Sequence, residues 1–302
     1  MPPTRRSTVY MRMFTTRSAL RGAILPLLLL PLALLAQQTL KVDVDLVNVF
    51  VTVKDAGGQF ETGLTKDDFV IYDDGEPQKI AVFEKDNAVR SAIGVLLDTS
   101  GSVVDILPYE TRGLRDFARS ISYPDEYLVI TFGTNVRLIH RSPETFQHLD
   151  QVLLGLRPFG TSVLFDAMLY GIDRVNASDN ERKALVVFTD GNDNGSNIEF
   201  GRVAQESQMS GVLLYFVAIG SPVLVDKHTV ESLAGNSGGR VFYVPKAESV
   251  VPYLDEIRTE LSRQYYLAYY ITRRPGYHRI RVDLPGRSNL SLHTRDGYLV
   301  GR

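Results

Sequence analysis

The chain has 302 residues, 33 Lys and Arg against 35 Asp and Glu, a formal charge of −2 and no cysteine. Disulfides, thiolate chemistry and a cysteine-linked lipid anchor are therefore excluded, and an acidic chain without a basic block is unsuited to nucleic acid. At this length, with 44% hydrophobic residues, it can bury one or two sizeable cores.

The first 36 residues hold five arginines (Arg5, Arg6, Arg12, Arg17 and Arg21) and no acid, and end in an unbroken apolar run from Ala23 to Ala36. That run is 14 residues long, short of the ~20 that a transmembrane helix needs, and it contains Pro26 and Pro31. This layout predicts a secretory signal peptide over 1–36, cleaved after Ala36, with Met11 or Met13 as alternative starts that give a more usual leading segment. Cleavage would leave an exported protein without a stable membrane span. Its 28 basic residues against 35 acidic give a net charge of −7.

Residues 37–90 read as β structure. Val42, Val44 and Leu46 alternate with charged residues. The alternation then slips by one, so that Val47, Val49, Val51 and Val53 share a face, which means a β-bulge or a strand buried on both sides. Asp55-Ala56-Gly57-Gly58 and Asp73-Asp74-Gly75 are hairpin-type turns, and Leu64 to Phe69 is a short connecting turn.

Residues 91–264 alternate strand and helix. The apolar run Ala92-Ile93-Gly94-Val95-Leu96-Leu97 suits a buried parallel strand. Leu107, Leu114, Phe117, Ala118 and Ile121 then fall on one helical face. Tyr127 to Phe132 and Val136 to Ile139 are strands. Phe146, Leu149, Leu153 and Leu156 mark a short helix and Val163 to Val175 another. Ala184 to Phe188 is a second buried strand, Val212 to Ile219 a central one and Val241 to Val244 a last short one. Val250, Leu254, Ile257 and Leu261 stripe a closing helix to Gln264. This order predicts a doubly wound, mostly parallel α/β sheet.

Residues 265–302 return to β periodicity, with Tyr265, Leu267, Tyr269 and Ile271 on one face and Ile280, Val282 and Leu284 on another. Each β segment falls below the ~70–80 residues at which a core stands alone. They are expected to pair into one β-sandwich-like domain with the α/β domain inserted between them.

The chemistry concentrates where the buried strands end. The first runs into Asp98-x-Ser100-x-Ser102, the second into Thr189-Asp190-Gly191, and Phe159-Gly160-Thr161-Ser162 forms a glycine-containing loop ahead of a helix. Ligand sites of open α/β sheets lie at such strand ends. Carboxylates and hydroxyls are hard donors that suit Mg²⁺, Mn²⁺ or Ca²⁺ and not zinc. Here the chain resembles the von Willebrand factor type A domain. The metal-ion-dependent adhesion site of that family uses Asp-x-Ser-x-Ser, a distant Thr and a distant Asp. Asp98, Ser100, Ser102, Thr161 and Asp190 fill all five positions in order. Over nearly all of the mature chain the layout is also similar to a bacterial family of exported proteins related to that domain. The residues concerned are Gly63-Leu64-Thr65-Lys66-Asp67-Asp68-Phe69, Asp74-Gly75-Glu76-Pro77-Gln78 and Gly297-Tyr298.

The resemblance implies that Ser100 and Ser102 bind the metal directly, that Thr161 does so directly or through water, and that Asp98 and Asp190 act largely through water. A metal so ligated keeps much of its charge and seeks an Asp or Glu carboxylate from a partner protein. The leading expectation is thus an exported, periplasmic or extracellular adhesion module. A structural component of an envelope complex, with a fold-stabilising metal, is the alternative.

Enzyme readings are weaker, and no catalytic residue is assigned. The sequence has no His-Glu-x-x-His, and Ser100 does not lie in Gly-x-Ser-x-Gly. No general base is obvious near the metal set. His140, His148, His228, His278 and His293 are dispersed, and read as surface or packing residues. Asp190-Gly191-Asn192-Asp193-Asn194-Gly195 begins like an EF-hand loop, but its twelfth position is Gly201 where a Glu is required. Asp193 and Asn194 are expected to shape the turn.

Overall fold

The computed structural model describes residues 44–85, 89–121, 125–219, 225–272 and 274–301. The expected signal segment 1–36 and the start of the first β run lie outside them. Residues 42–302 form one compact unit. No helix among the described residues is long and apolar enough to cross a membrane.

The strands are β1 (Val44–Lys54), β2 (Val70–Asp73), β3 (Glu76–Gln78), β4 (Ile80–Glu84), β5 (Ser91–Asp98), β6 (Glu126–Phe132) and β7 (Val136–Arg141), followed by β8 (Arg182–Phe188), β9 (Leu213–Ile219), β10 (Val241–Val244), β11 (Tyr265–Thr272), β12 (Gly276–Asp283), β13 (Ser291–His293) and β14 (Gly297–Val300). The helices are α1 (Leu107–Ser120), α2 (Phe146–Gly155), α3 (Leu164–Asn176), α4 (Phe200–Ser210), α5 (Lys227–Ser237) and α6 (Val250–Arg263).

A six-stranded sheet in the order β10-β9-β8-β5-β6-β7 forms the centre. Its first five strands are parallel, and β7 runs antiparallel to β6 at the edge. Every residue of β5 and β9 is buried, because helices cover both faces. One face packs Ile93, Val95, Leu97, Val186 and Tyr215 against Leu114 and Phe117 of α1, Leu149 of α2 and Leu254 and Ile257 of α6. The alternate residues Leu96, Ile130, Leu185 and Phe216 meet Leu164 and Met168 of α3, Val203 of α4 and Leu233 of α5. The α/β architecture is therefore as expected. The long apolar run of β9 is interior, although β8 and β5 occupy the middle of the sheet.

The terminal segments build two antiparallel four-stranded sheets, β13-β1-β11-β4 and β14-β12-β2-β3, each mixing both ends of the chain. Val49, Val51, Leu267 and Tyr269 of one sheet share an apolar cluster with Ile71, Ile280 and Tyr298 of the other. Phe50, Tyr266 and Ala268 face the opposite way, into the α/β core. The slip of alternation in β1 is thus burial on both sides, since its register against β11 runs without interruption from Val44 to Val51. The turn between β2 and β3 places Asp74 and Gly75 at φ of 49° and 88°, the left-handed pair of a type I′ hairpin.

Candidate metal centre

The chain leaves β5 toward β6 on one side and returns to β8 on the other. The loops after β5 and β8 therefore diverge and leave a crevice at the carboxyl edge of the sheet. Asp98 is the last residue of β5, and Ser100 and Ser102 lie in the turn before α1. Asp190 is two residues past β8, and Thr161 lies three residues before α3.

Backbone and side-chain hydrogen bonds lace these loops together. Gly101 N–H donates to Gly160 O at 3.0 Å, and Phe159 N–H to Thr99 O at 2.9 Å. Ser162 and Asn194 are joined twice, Ser162 N–H to Asn194 Oδ1 at 2.8 Å and Asn194 N–H to Ser162 O at 3.1 Å. Asp193 Oδ1 receives Ser196 Oγ–H at 2.6 Å and Phe165 N–H at 3.3 Å. Asp193 and Asn194 thus hold the turn and tie it to the loop of Thr161. Gly160, at φ +80°, lies where a Cβ would fall 2.0 Å from Thr134 Oγ1, so this loop needs glycine there.

Asp98 is 1% exposed. Its Oδ1 accepts Ser100 N–H at 2.7 Å and its Oδ2 accepts Ser162 Oγ–H at 3.2 Å. Burial raises the Asp98 pKa, the hydrogen bonds from Ser100 and Ser162 oppose the rise, and the charge of Asp190 adds to it. Ser100 Oγ lies 2.9 Å from Ser102 Oγ. The Thr161 hydroxyl faces Gly195, where an added Cβ would come within 2.8 Å of its Oγ1. Asp190 Oδ1 accepts Asn192 N–H at 3.0 Å, and its carbonyl receives Asp226 N–H at 2.9 Å. Asp98 and Ser100 are buried, Asp190 is half-buried, and Ser102 and Thr161 are exposed. The group is a shallow cup with hydroxyls at its rim. Hydrogen bonds join Asp98, Ser100 and Ser102 directly. Thr161 is tied in through its neighbours Gly160 and Ser162, and Asp190 through its charge.

Glu110 of α1 belongs to the same neighbourhood. It is 1% exposed, and its Oε2 has no hydrogen-bond partner. Burial holds its carboxyl well above the usual range, and the charges of Asp98 and Asp190 push the same way. Glu110 falls three residues after Leu107 and four before Leu114, so a lone acid on the apolar stripe of α1 was its sequence signature. It is a carboxyl near the set that the motif did not include. Glu110 is sealed from solvent and sits beneath the cup.

The donor set fits a hard divalent cation. All five side chains offer oxygen. An octahedral ion with bonds of ~2.0–2.1 Å has adjacent ligands about 2.9 Å apart, the spacing of Ser100 Oγ and Ser102 Oγ. Among the described residues no ion pair involves Asp98, Glu110 or Asp190, so no basic side chain stands against these carboxyls.

The family model of the von Willebrand factor type A domain matches residues 92–259. No curated protein matches the chain. Among solved structures, proximal thread matrix protein 1 from the mussel byssus is 15% identical at a TM-score of 0.53, covering 64% of this chain and 51% of that one. A second structure of the mussel protein, described as having a zinc occupied MIDAS motif, gives 15% identity and a TM-score of 0.52, over 64% of this chain and 50% of that one. A von Willebrand factor type A protein from Catenulispora acidiphila is 11% identical at a TM-score of 0.49, covering 88% and 76%. The chain spans about half the length of the mussel chains it matches. At these identities the likeness is one of fold.

Proposed function

Because the chain belongs to the von Willebrand factor type A domain family, as the match over residues 92–259 establishes, we propose that it is an exported protein-binding module. A divalent metal, Mg²⁺ or else Mn²⁺ or Ca²⁺, held by Asp98, Ser100, Ser102, Thr161 and Asp190, engages an Asp or Glu carboxylate of a partner protein. One observation carries this reading: three interlaced loops bury the carboxyl of Asp98 and leave Ser102 and Thr161 exposed at the rim. Neutral hydroxyls at the rim leave a bound cation its charge toward the outside. The Asp98 and Asp190 carboxyls, with no basic side chain paired to them among the described residues, supply the long-range attraction that draws it in.

In this reading Ser162 and Asn194 are positioning residues. They orient Asp98 and the loop after β8, and touch no partner. Binding, and not catalysis, is proposed, because the one extra acid of the site is closed off from any substrate. Residues 37–90 and 265–302 are taken as two halves of a β domain that carries the α/β domain of residues 91–264. Residues 1–36 are taken as the export signal.

The test is calorimetric titration of Mg²⁺ and Mn²⁺ into the purified protein and into a Ser100→Ala, Ser102→Ala double variant. Saturable binding to the parent, lost in the variant, is expected, together with chelator-sensitive capture of a carboxylate-bearing peptide. Asp98→Ala should abolish that capture while the surface change Asp179→Ala leaves it intact. Metal that binds and raises thermal stability, without any metal-dependent capture of carboxylate, would instead favour the structural envelope role.

A further inference from the structure

A second group of ligating side chains lies at the other end of the sheet, and here two dispersed histidines converge. His140 of β7 is buried. Its Nε2 is hydrogen-bonded to Tyr127 Oη at 3.0 Å, and its ring is stacked on Tyr127 at 5.1 Å between centroids. Its other nitrogen, Nδ1, makes no hydrogen bond and points at Glu144 Oε2, 3.5 Å away. His148, in the first turn of α2, brings its Nδ1 within 3.2 Å of the same oxygen. The ligand atoms of the three residues all lie within 4.8 Å of one another.

We infer that His140 Nδ1, Glu144 Oε2 and His148 Nδ1 form a binding site for Zn²⁺ or a similar first-row transition ion, with water as the fourth ligand. Two imidazoles and one carboxylate are a zinc-type donor set, unlike the all-oxygen set around Asp98. Zinc bonds of ~2.0–2.1 Å in a tetrahedron place neighbouring ligands about 3.3–3.4 Å apart. The 3.5 Å and 3.2 Å separations bracket that edge. Only the remaining His140–His148 gap has to close, and the two rings already lie stacked at 6.1 Å between centroids with His148 half exposed.

The buried ring is oriented for this role. With Nδ1 on the ion, Nε2 carries the proton and donates it to Tyr127 Oη, the outer hydrogen bond that fixes tautomer and orientation at metal-bound histidines. Glu144 and His148 form the solvent side, with side chains 51% and 50% exposed, through which an ion can enter. The site is separate from the cup at Asp98. Asp98 pairs with Phe132 at one end of β6, and Tyr127 lies five residues away near the other, a span of about 16 Å at ~3.3 Å per residue.

The experiment is titration of Zn²⁺ into the purified protein with Mg²⁺ in excess, so that the oxygen set is occupied by the hard ion. One equivalent of zinc is expected. Glu144→Gln and His148→Ala, both at half-exposed positions that leave the fold intact, should weaken it by at least ~100-fold, beyond what outer-shell changes cost. Tyr127→Phe, which keeps the stack and removes only the hydroxyl, should weaken it by ~10–100-fold. The Ser100→Ala, Ser102→Ala variant should bind zinc as the parent does. Co²⁺ in place of Zn²⁺ should develop the visible absorption of a four-coordinate complex. Absence of zinc uptake, uptake unchanged by Glu144→Gln and His148→Ala, or uptake lost in the double serine variant would each overturn the assignment.

Discussion

Arg240→Met should destabilise the protein far more than its position at the surface suggests. The Arg240 side chain is 31% exposed, but the Glu260 carboxyl it meets at 2.6 Å is fully buried on α6. Glu260 also accepts Tyr215 Oη–H at 3.1 Å. Gln264 Nε2 continues the chain to Tyr215 Oη at 3.2 Å and to Thr52 Oγ1 of β1 at 3.3 Å. This network pins the end of α6 to β9 and to the terminal sheet at once. Removing Arg240 strands the acid beneath, which costs about 3–5 kcal/mol when a buried pair loses one partner, or on the order of 10 °C in Tm for a protein of this size. Glu260→Gln should cost much less, because Arg240 keeps Glu256 at 3.0 Å and the amide can still accept from Tyr215. In the double variant no charge is left stranded, so its loss should fall well short of the sum of the two single losses. Urea unfolding of the four proteins at neutral pH measures the cycle. A loss for Arg240→Met below ~1 kcal/mol, the range of an exposed pair, or strict additivity, would refute the account.

Two further outcomes probe the cup. With a chelator present, stability should fall as pH rises above the ordinary carboxyl range. The folded pKa of Glu110 is raised by burial and by Asp98 and Asp190, so the folded protein holds a proton that the unfolded chain has lost. The slope reaches ~1.4 kcal/mol per pH unit for one group. Glu110→Gln should flatten it, and parallel urea profiles of parent and variant at pH 5, 6 and 7 would rule it out. Gly195→Ala should weaken Mg²⁺ binding by ~10-fold, about 1.4 kcal/mol, because its Cβ would press on Thr161 Oγ1 at 2.8 Å. Unchanged affinity in the calorimeter would show that Thr161 does not need its present place.

What could be read from the sequence followed from how each element is buried. Strands β5 and β9 are buried along their whole length, and such strands are unbroken apolar runs in the sequence. The stripes of α1 and α6 were equally plain, with Leu114 and Phe117 in one and Leu254 and Ile257 in the other. Helices α4 and α5 had no such stripe. The buried residues of α4 are Val203 and Ser207, and those of α5 are Val230, Leu233 and Ala234 flanked by Thr229 and Ser237, too short an apolar set to stand out. Small and polar side chains facing a core leave no 3.6-residue apolar signal. Asp98, Ser100, Ser102, Thr161 and Asp190 could be singled out because they lie at strand ends and in the loops between them. The role of Ser162 could not, since it acts through hydrogen bonds to Asp98 and Asn194 that only the folded loops create. The histidines were hidden for the same reason: His140 is on a strand and His148 on a helix, so their spacing of eight matches no single element.

The short segments that resembled an exported bacterial family do their work away from the metal loops. Leu64 N–H donates to Tyr265 Oη at 3.0 Å, and Phe69 packs on the same ring at 5.0 Å between centroids. Asp74 Oδ1 receives Arg279 N–H at 2.9 Å, while its neighbour Asp73 takes the hydroxyls of Tyr269 and Tyr298 at 2.9 Å and 2.7 Å. Gly297 leaves room for the Tyr277 ring, which a Cβ would meet at 2.6 Å. Each contact joins a residue before the α/β region to one after it, or closes the last strands upon themselves. The sheet of β1 and β11 then turns Phe50, Tyr266 and Ala268 into the α/β core, and Thr52 reaches Gln264 just past α6. These segments therefore act as a clasp across the ends of the α/β region. The strands that carry the metal loops share a core with that clasp, so an α/β fragment cut at residues 91 and 264 would lose Phe50, Tyr266 and Ala268 from the cover of one face.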